Sequence, residues 1–127
     1  MILVGLVIAP IKHVEPFNKH TKHIPTKQEI KDYARAKYAG DEIQFECLDT
    51  LWTMESHWNP QAKGYRTKQG QALGIPQALP PEKMAIMGAD YKTNPYTQVD
   101  WGLKYIKSRY GNKACYALKW ELNKGYY

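Results

Sequence analysis

Residues 45–62 read FECLDTLWTMESHWNPQA and hold the most informative helix of the chain. Phe45, Leu48 and Trp52 recur at the spacing of one helix face, and the next position of that series is Glu55. The helix is predicted to end near residues 59–60, because proline disfavours the helical state of the residue before it. The stretch therefore predicts a packed helix whose apolar stripe finishes on a carboxylate.

The position of Glu55 allows two interpretations. If the side chain is buried beside Trp52 and Trp58, its charged form loses hydration and its pKa rises, which suits a general acid. If it turns outward at the helix end, it pairs with a lysine on the surface. The residues alone leave both interpretations open.

The flanking segments predict further helices. Thr26 and Glu29 have the spacing of a capping box, and the helix they start is predicted to continue to Tyr38. Asp41, with Gln44 at the capping-box position, starts the helix that carries Glu55. Further helices are predicted from the prolines at 80–81 to residue 87, from 94–95 to 110, and from 113 to 123. Residues 63–74 contain three glycines and predict a mobile loop or a small hairpin. No long alternating pattern is present, so the expected fold class is mainly α.

Length and composition limit the class of protein. The 127 residues, 43% of them hydrophobic and 24% charged, suit one compact soluble domain rather than a disordered or fibrous chain. Eighteen basic against twelve acidic residues give a net charge of +6, which favours an anionic partner. The basic residues are scattered, so a nucleic-acid partner is not expected. No close cysteine pair accompanies the four histidines, so no metal or other cofactor is expected.

The N-terminal residues 1–11 read MILVGLVIAPI and are almost wholly apolar. They are shorter than the about 20 residues that a membrane-spanning helix needs. Three interpretations stay open: an atypical signal or anchor, the trimmed end of a longer apolar segment, or an element packed on the domain. Residues 12–25 predict a linker, so the folded domain is expected over 26–127, with membrane contact only through the apolar segment, if at all.

Several motifs occur together in one order. ESHWNPQA at residues 55–62 is followed by GIPQ at 74–77, NPYTQ at 94–98, WGLKYI at 101–106 and RYG at 109–111. This arrangement resembles the soluble lytic transglycosylase family, in particular the small domains of bacteriophage tail and tape-measure proteins and of secreted bacterial proteins. The resemblance covers roughly residues 26–127. It implies a lysozyme-like single domain with a glycan-binding groove.

The resemblance also implies an activity. The family cleaves the β-1,4 bond between N-acetylmuramic acid and N-acetylglucosamine in peptidoglycan, and Glu55 matches its catalytic acid. One carboxylate suffices when the sugar's own 6-hydroxyl closes a 1,6-anhydro ring, whereas hydrolases generally need two. Gln77 and Ile75 match the second motif along the groove, and Ser56 matches the serine that supports the acid or the nearby backbone. A monomer acting outside the cytoplasm, at the cell wall or on a virion, is expected.

Other residues have a functional and a structural interpretation. Trp101, Tyr105 and Tyr126 could stack on sugar rings or pack in the core. Cys47 and Cys115 could form a disulfide, as their placement in similar domains implies, or remain buried thiols. At the level of function, a lysozyme-type hydrolase and a non-catalytic wall-binding or structural phage-tail module are the alternatives to a lytic transglycosylase.

Overall fold

The computed structural model describes residues 23–127. The predicted apolar segment and most of the predicted linker, at residues 1–22, lie outside the described residues. The described part is mainly helical, as expected, with one small two-stranded sheet. Its elements in chain order are α1 (Lys27–Ala36), α2 (Glu42–Ser56), β1 (Lys63–Thr67), β2 (Gly70–Leu73), a 3₁₀ segment (Pro81–Met87), α3 (Pro95–Tyr110) and α4 (Ala114–Lys124). Within residues 23–127, no helix has the length and apolar character needed to cross a bilayer.

The first two helices begin where the sequence predicts. Thr26 Oγ1 accepts the Glu29 amide at 3.1 Å, and the Glu29 carboxylate accepts the Thr26 amide at 3.4 Å, which completes the capping box. Helix α1 ends at Ala36, two residues before the predicted Tyr38, because the chain turns back toward α2 over residues 37–40. Asp41 caps α2 through the Gln44 amide at 3.3 Å.

The predicted capping box at the start of α2 is only half formed. The side chain of Gln44 does not return to Asp41; its Oε1 accepts the backbone N–H of Cys115 at 3.0 Å. This bond satisfies one of the free donors at the start of α4. Gln44 therefore joins the N-terminal ends of α2 and α4 to each other.

The main core lies between the four helices. Phe45, Leu48 and Trp52 of α2 are buried there, which confirms the predicted stripe. Helix α3 approaches α2 closely at Gly102, where a Cβ would lie 2.5 Å from Trp52 Cζ2. A second, smaller core joins the 3₁₀ segment to α3 through Met84 and Trp101.

Residues 63–74, for which a mobile loop and a small hairpin were the two predicted alternatives, form a hairpin. Strands β1 and β2 pair antiparallel, with Lys63 opposite Leu73 and Thr67 opposite Gly70. The hairpin follows the end of α2 and leads into the tight turn that carries Ile75 and Gln77. It therefore lies next to the segment that bears Glu55.

Candidate active site

Glu55 lies in the last turn of α2 and is half-buried. Burial raises its pKa from 4.5 to about 8, and the charge of the Glu121 carboxylate adds to this. The predicted alternative, an outward carboxylate paired with a lysine, is not what the structure has: among residues 23–127, no Lys, Arg or His forms an ion pair with Glu55. Glu55 is thus placed to hold a proton at neutral pH.

Glu121, which faces Glu55 from α4, was missed as a functional candidate. The sequence places it only on the inner side of the last helix. Its Oε2 atom is buried and has no hydrogen-bond partner among the described residues. Helical spacing identifies the inner face of α4 but not the helix that packs against it. The sequence therefore does not predict that Glu121 faces Glu55.

Tyr127 adjoins the same carboxylate. Its hydroxyl accepts the Trp52 indole N–H at 3.0 Å and donates to the Pro76 carbonyl at 2.7 Å. Burial raises the pKa of this hydroxyl well above its ordinary value, and the charge of Glu55 contributes. The ring therefore ties α2 to the turn of the second motif, directly beside the acid.

Ser56 connects the two motifs through the backbone. It is 6% exposed, and its hydroxyl lies 2.7 Å from the carbonyl of Ile75 and 3.2 Å from that of Trp52. The Ile75 side chain is fully buried, and its amide donates to Gln98 Oε1 at 2.9 Å. Both residues hold the scaffold around Glu55: the Ser56 hydroxyl bonds backbone carbonyls, and the Ile75 amide bonds the side chain of Gln98.

Gln98 was not singled out within its motif, although it organises the site. Its buried amide accepts from Ile75 and donates to the carbonyls of Pro60 and Tyr91 at 3.0 and 2.9 Å. A side chain at Gly74, which has a φ of +80°, would collide with this amide. The glycine of the second motif is therefore required by both its backbone conformation and its contact with Gln98.

Gln77 anchors the base of the hairpin. Its amide nitrogen donates to the carbonyls of Ala62 at 3.1 Å and Gly74 at 3.0 Å. Its Oε1 lies against Gly64, where an added Cβ would approach within 2.8 Å. Gln77 therefore links β1 to the second motif, with its side chain half-buried.

The aromatic candidates lie in different surroundings. Trp101 is 8% exposed in the second core, and Tyr105 stacks on it with ring centroids 5.3 Å apart. The Tyr105 hydroxyl donates to the backbone carbonyl of Tyr127 at 3.1 Å, which brings it to the Glu55 side of the molecule. Tyr126 is 55% exposed and packs edge-on against Trp120.

A disulfide fixes the helix pair that carries the two carboxylates. Cys47 of α2 is bonded to Cys115 of α4. The bridge lies toward the N-terminal ends of both helices. Glu55 and Glu121 lie toward the C-terminal ends and interact electrostatically, so α2 and α4 run side by side in the same direction.

Within residues 23–127, no group of three His, Cys, Asp or Glu residues is arranged to hold a metal ion.

A known family model matches most of the chain. The family model described as Transglycosylase SLT domain matches residues 32–121, which are 90 of the 127 residues. The matched range includes Glu55, Gln77 and Glu121. Comparisons with curated proteins and with solved structures gave no match.

Proposed function

The chain belongs to the transglycosylase SLT domain family, which acts on peptidoglycan, and we propose that it is a lytic transglycosylase with Glu55 as its catalytic acid. The bond cleaved is the β-1,4 linkage between N-acetylmuramic acid and N-acetylglucosamine. The observation that carries the proposal is the environment of Glu55. The side chain is half-buried, and this burial raises its pKa to about 8. At pH 7 such a group is about 90% protonated, whereas a carboxyl group with a pKa of 4.5 is less than about 1% protonated.

The reaction needs only one proton and one carboxylate. Glu55 donates its proton to the linking oxygen, the bond from C1 of N-acetylmuramic acid to that oxygen breaks, and N-acetylglucosamine leaves with a new hydroxyl. The 6-hydroxyl of the same muramic acid then attacks C1, and its proton passes to the Glu55 carboxylate. A 1,6-anhydro ring forms, the acid is restored, and no water is consumed. The attacking group belongs to the bound sugar, so correct orientation replaces a second catalytic group.

The groove of this proposal runs past the end of α2, between the hairpin and the C-terminal residues. Gln77 uses its amide N–H groups on the backbone, which leaves Oε1 as the part of the side chain that can accept from a sugar. Tyr105 and the exposed ring of Tyr126 supply flat surfaces for stacking. Ser56, Ile75 and Trp101 act by holding this frame.

We further propose that the protein acts outside the cytoplasm, as a secreted or virion-associated enzyme. The Cys47–Cys115 disulfide supports this, because disulfides persist in oxidising compartments. The net charge of +6 suits a wall rich in carboxylates and phosphates.

The test is the Glu55→Gln variant, compared with Glu46→Gln, which changes an exposed glutamate of the same helix. Lysis of purified walls by Glu55→Gln should fall by at least about 100-fold, since general acid catalysis contributes that much or more. Wall binding in a sedimentation assay and the circular dichroism spectrum should be retained. Lysis by Glu55→Gln equal to that by Glu46→Gln would remove Glu55 from the mechanism.

A further inference from the structure

The hairpin carries a group of cations that have no acidic neighbours along the chain. Lys63, Arg66 and Lys68 lie within six consecutive residues, and no Asp or Glu occurs between residues 56 and 81. All three residues are exposed. Among residues 23–127, none of the three forms an ion pair. Their positive charge is therefore available to an anionic partner.

An uncovered aromatic ring lies among these cations. Tyr65 is 95% exposed, so its ring adds little to the packing of the fold. The next residue along β1 is Arg66. The hairpin tip, residues 65–69, therefore combines a flat amphipathic ring with two cations, a surface that suits a ligand with both apolar and anionic groups.

Hydrogen bonds organise this tip. The Thr67 hydroxyl accepts the Gln69 amide at 3.1 Å and donates to the Gly70 carbonyl at 3.0 Å. The side-chain amide of Gln71 donates across the strands to the Gly64 carbonyl at 2.8 Å. The charged residues are thus presented from an ordered turn, which reduces the conformational freedom that a partner must remove on binding.

The base of the hairpin is bonded to the segment beside the proposed acid. The Gly74 amide donates to the Ala62 carbonyl at 2.8 Å, and Ser56, next to the acid, donates to the Ile75 carbonyl at 2.7 Å. From this base, strand β1 (Lys63–Thr67) extends about 13 Å at the ordinary rise of a strand. The tip therefore lies about one strand length beyond the residues that support the acid.

The substrate of the proposed function carries anionic groups at a similar reach. Each N-acetylmuramic acid can bear a short peptide on its lactyl group, and this peptide stem ends in carboxylates. In the reaction proposed above, that sugar lies at Glu55, so its stem leaves the groove beside the acid. An extended stem of four residues is about 13 Å long. A stem that follows the hairpin brings its terminal carboxylate to the tip.

We propose that the hairpin tip binds the carboxylates of the peptide stem, so that the protein prefers glycan strands that bear stems. Arg66 and Lys68 supply the charges, and Tyr65 supplies the flat contact. This inference rests on the proposed function, in which Glu55 cleaves the glycan strand. The tip residues touch no reacting atom and act on the binding of substrate.

The test compares two substrates that differ only in their stems: glycan strands freed of phosphate polymers, and the same strands after an amidase has removed the peptides. The variant is Arg66→Gln/Lys68→Gln, and the control is Lys27→Gln, which changes an exposed lysine of α1. On stem-bearing strands, kcat/KM of the double variant should fall by about three- to twentyfold, since one exposed ion pair changes affinity by up to about fivefold. Lys27→Gln should match the wild type on both substrates, and the double variant should match it on stem-free strands.

The charge of the stem and the salt concentration give a second readout. In the wild type, the preference for stem-bearing strands should shrink as ionic strength rises, and amidation of the stem carboxylates should remove it. Tyr65→Ala should lower kcat/KM on stem-bearing strands only. Equal losses in the double variant on both substrates, or no loss on either, would overturn the proposal. A loss confined to walls that keep their phosphate polymers would overturn it too, because the partner would then be that polymer.

Binding in an inactive background separates this inference from the proposed function. Adding Arg66→Gln/Lys68→Gln to Glu55→Gln should weaken sedimentation with stem-bearing strands and leave sedimentation with stem-free strands unchanged. If Glu55→Gln is inactive and the tip substitutions leave its binding unchanged, this inference fails and the proposed function stands. Full lysis by Glu55→Gln overturns the proposed function, and the comparison of binding to the two substrates still decides whether the tip binds stems.

Discussion

The disulfide between Cys47 and Cys115 should contribute a large part of the stability of this domain. The two cysteines are separated by 68 residues. In the chain-entropy model, a loop of that length restricts the unfolded chain enough to stabilise the folded state by about 4 kcal/mol. Replacing both cysteines by alanine should lower the free energy of unfolding by about this amount.

The assay is equilibrium unfolding in urea, followed by tryptophan fluorescence. Trp52 and Trp58 are buried in the main core, so their emission reports loss of that core. For a urea slope of about 2 kcal/mol per molar, a loss of 4 kcal/mol moves the midpoint down by about 2 M. The wild type should contain no free thiol before reduction.

The single variants give the matched controls. Either Cys47→Ala or Cys115→Ala alone breaks the bridge, so each should lose nearly as much stability as the double variant. The wild type in excess reductant should behave in the same way. A loss below about 1 kcal/mol in the double variant, or additive losses in the single variants, would refute the reasoning.

Three further predictions concern the packing around the acid. The pKa of Glu55 is about 8 in the folded protein and 4.5 ordinarily, so the folded state binds more protons than the unfolded state between these pH values. The stability of the fold should therefore decrease as pH rises through this window. Thermal melts should show a melting temperature that falls with pH in the wild type and falls less in Glu55→Gln. Gly102→Ala should lower the free energy of unfolding by about 1–3 kcal/mol, because the new Cβ would lie 2.5 Å from Trp52 Cζ2; an unchanged urea midpoint would contradict the close contact. Ser56→Ala should lower the free energy of unfolding by about 1–3 kcal/mol, because the carbonyl of Ile75 loses its hydrogen-bond donor. An effect no larger than that of Ser108→Ala, which changes an exposed serine, would show that this hydrogen bond is dispensable.

Much of the local structure was predictable from short-range patterns. Thr26 and Glu29 form a capping box because only nearby residues are involved, and Glu55 follows the apolar stripe of α2 because helical spacing is local. The stripe allows a buried Glu55 but does not require it. The choice between an acid and a surface ion pair required the surrounding structure.

The contacts between distant segments were not predictable in the same way. Gln44 has the spacing of a capping-box residue, but its side chain bonds to Cys115, 71 residues away. Glu121 and Tyr127 reach Glu55 from the C-terminal part of the chain, and helical periodicity cannot say which helix an inner face will meet. The NPYTQ motif contains Gln98, but its three backbone partners, at residues 60, 75 and 91, depend on how these segments pack against α3.

The central claim is that Glu55 cleaves glycan strands by ring closure. Its most direct test is mass spectrometry of the fragments that the wild type and Glu55→Gln release from purified peptidoglycan. We predict that the wild type releases muropeptides lighter by one water than the hydrolysed forms, with 1,6-anhydro ends, and that Glu55→Gln releases almost none. Full-mass reducing ends from the wild type, or the same anhydro products from Glu55→Gln, would contradict the account.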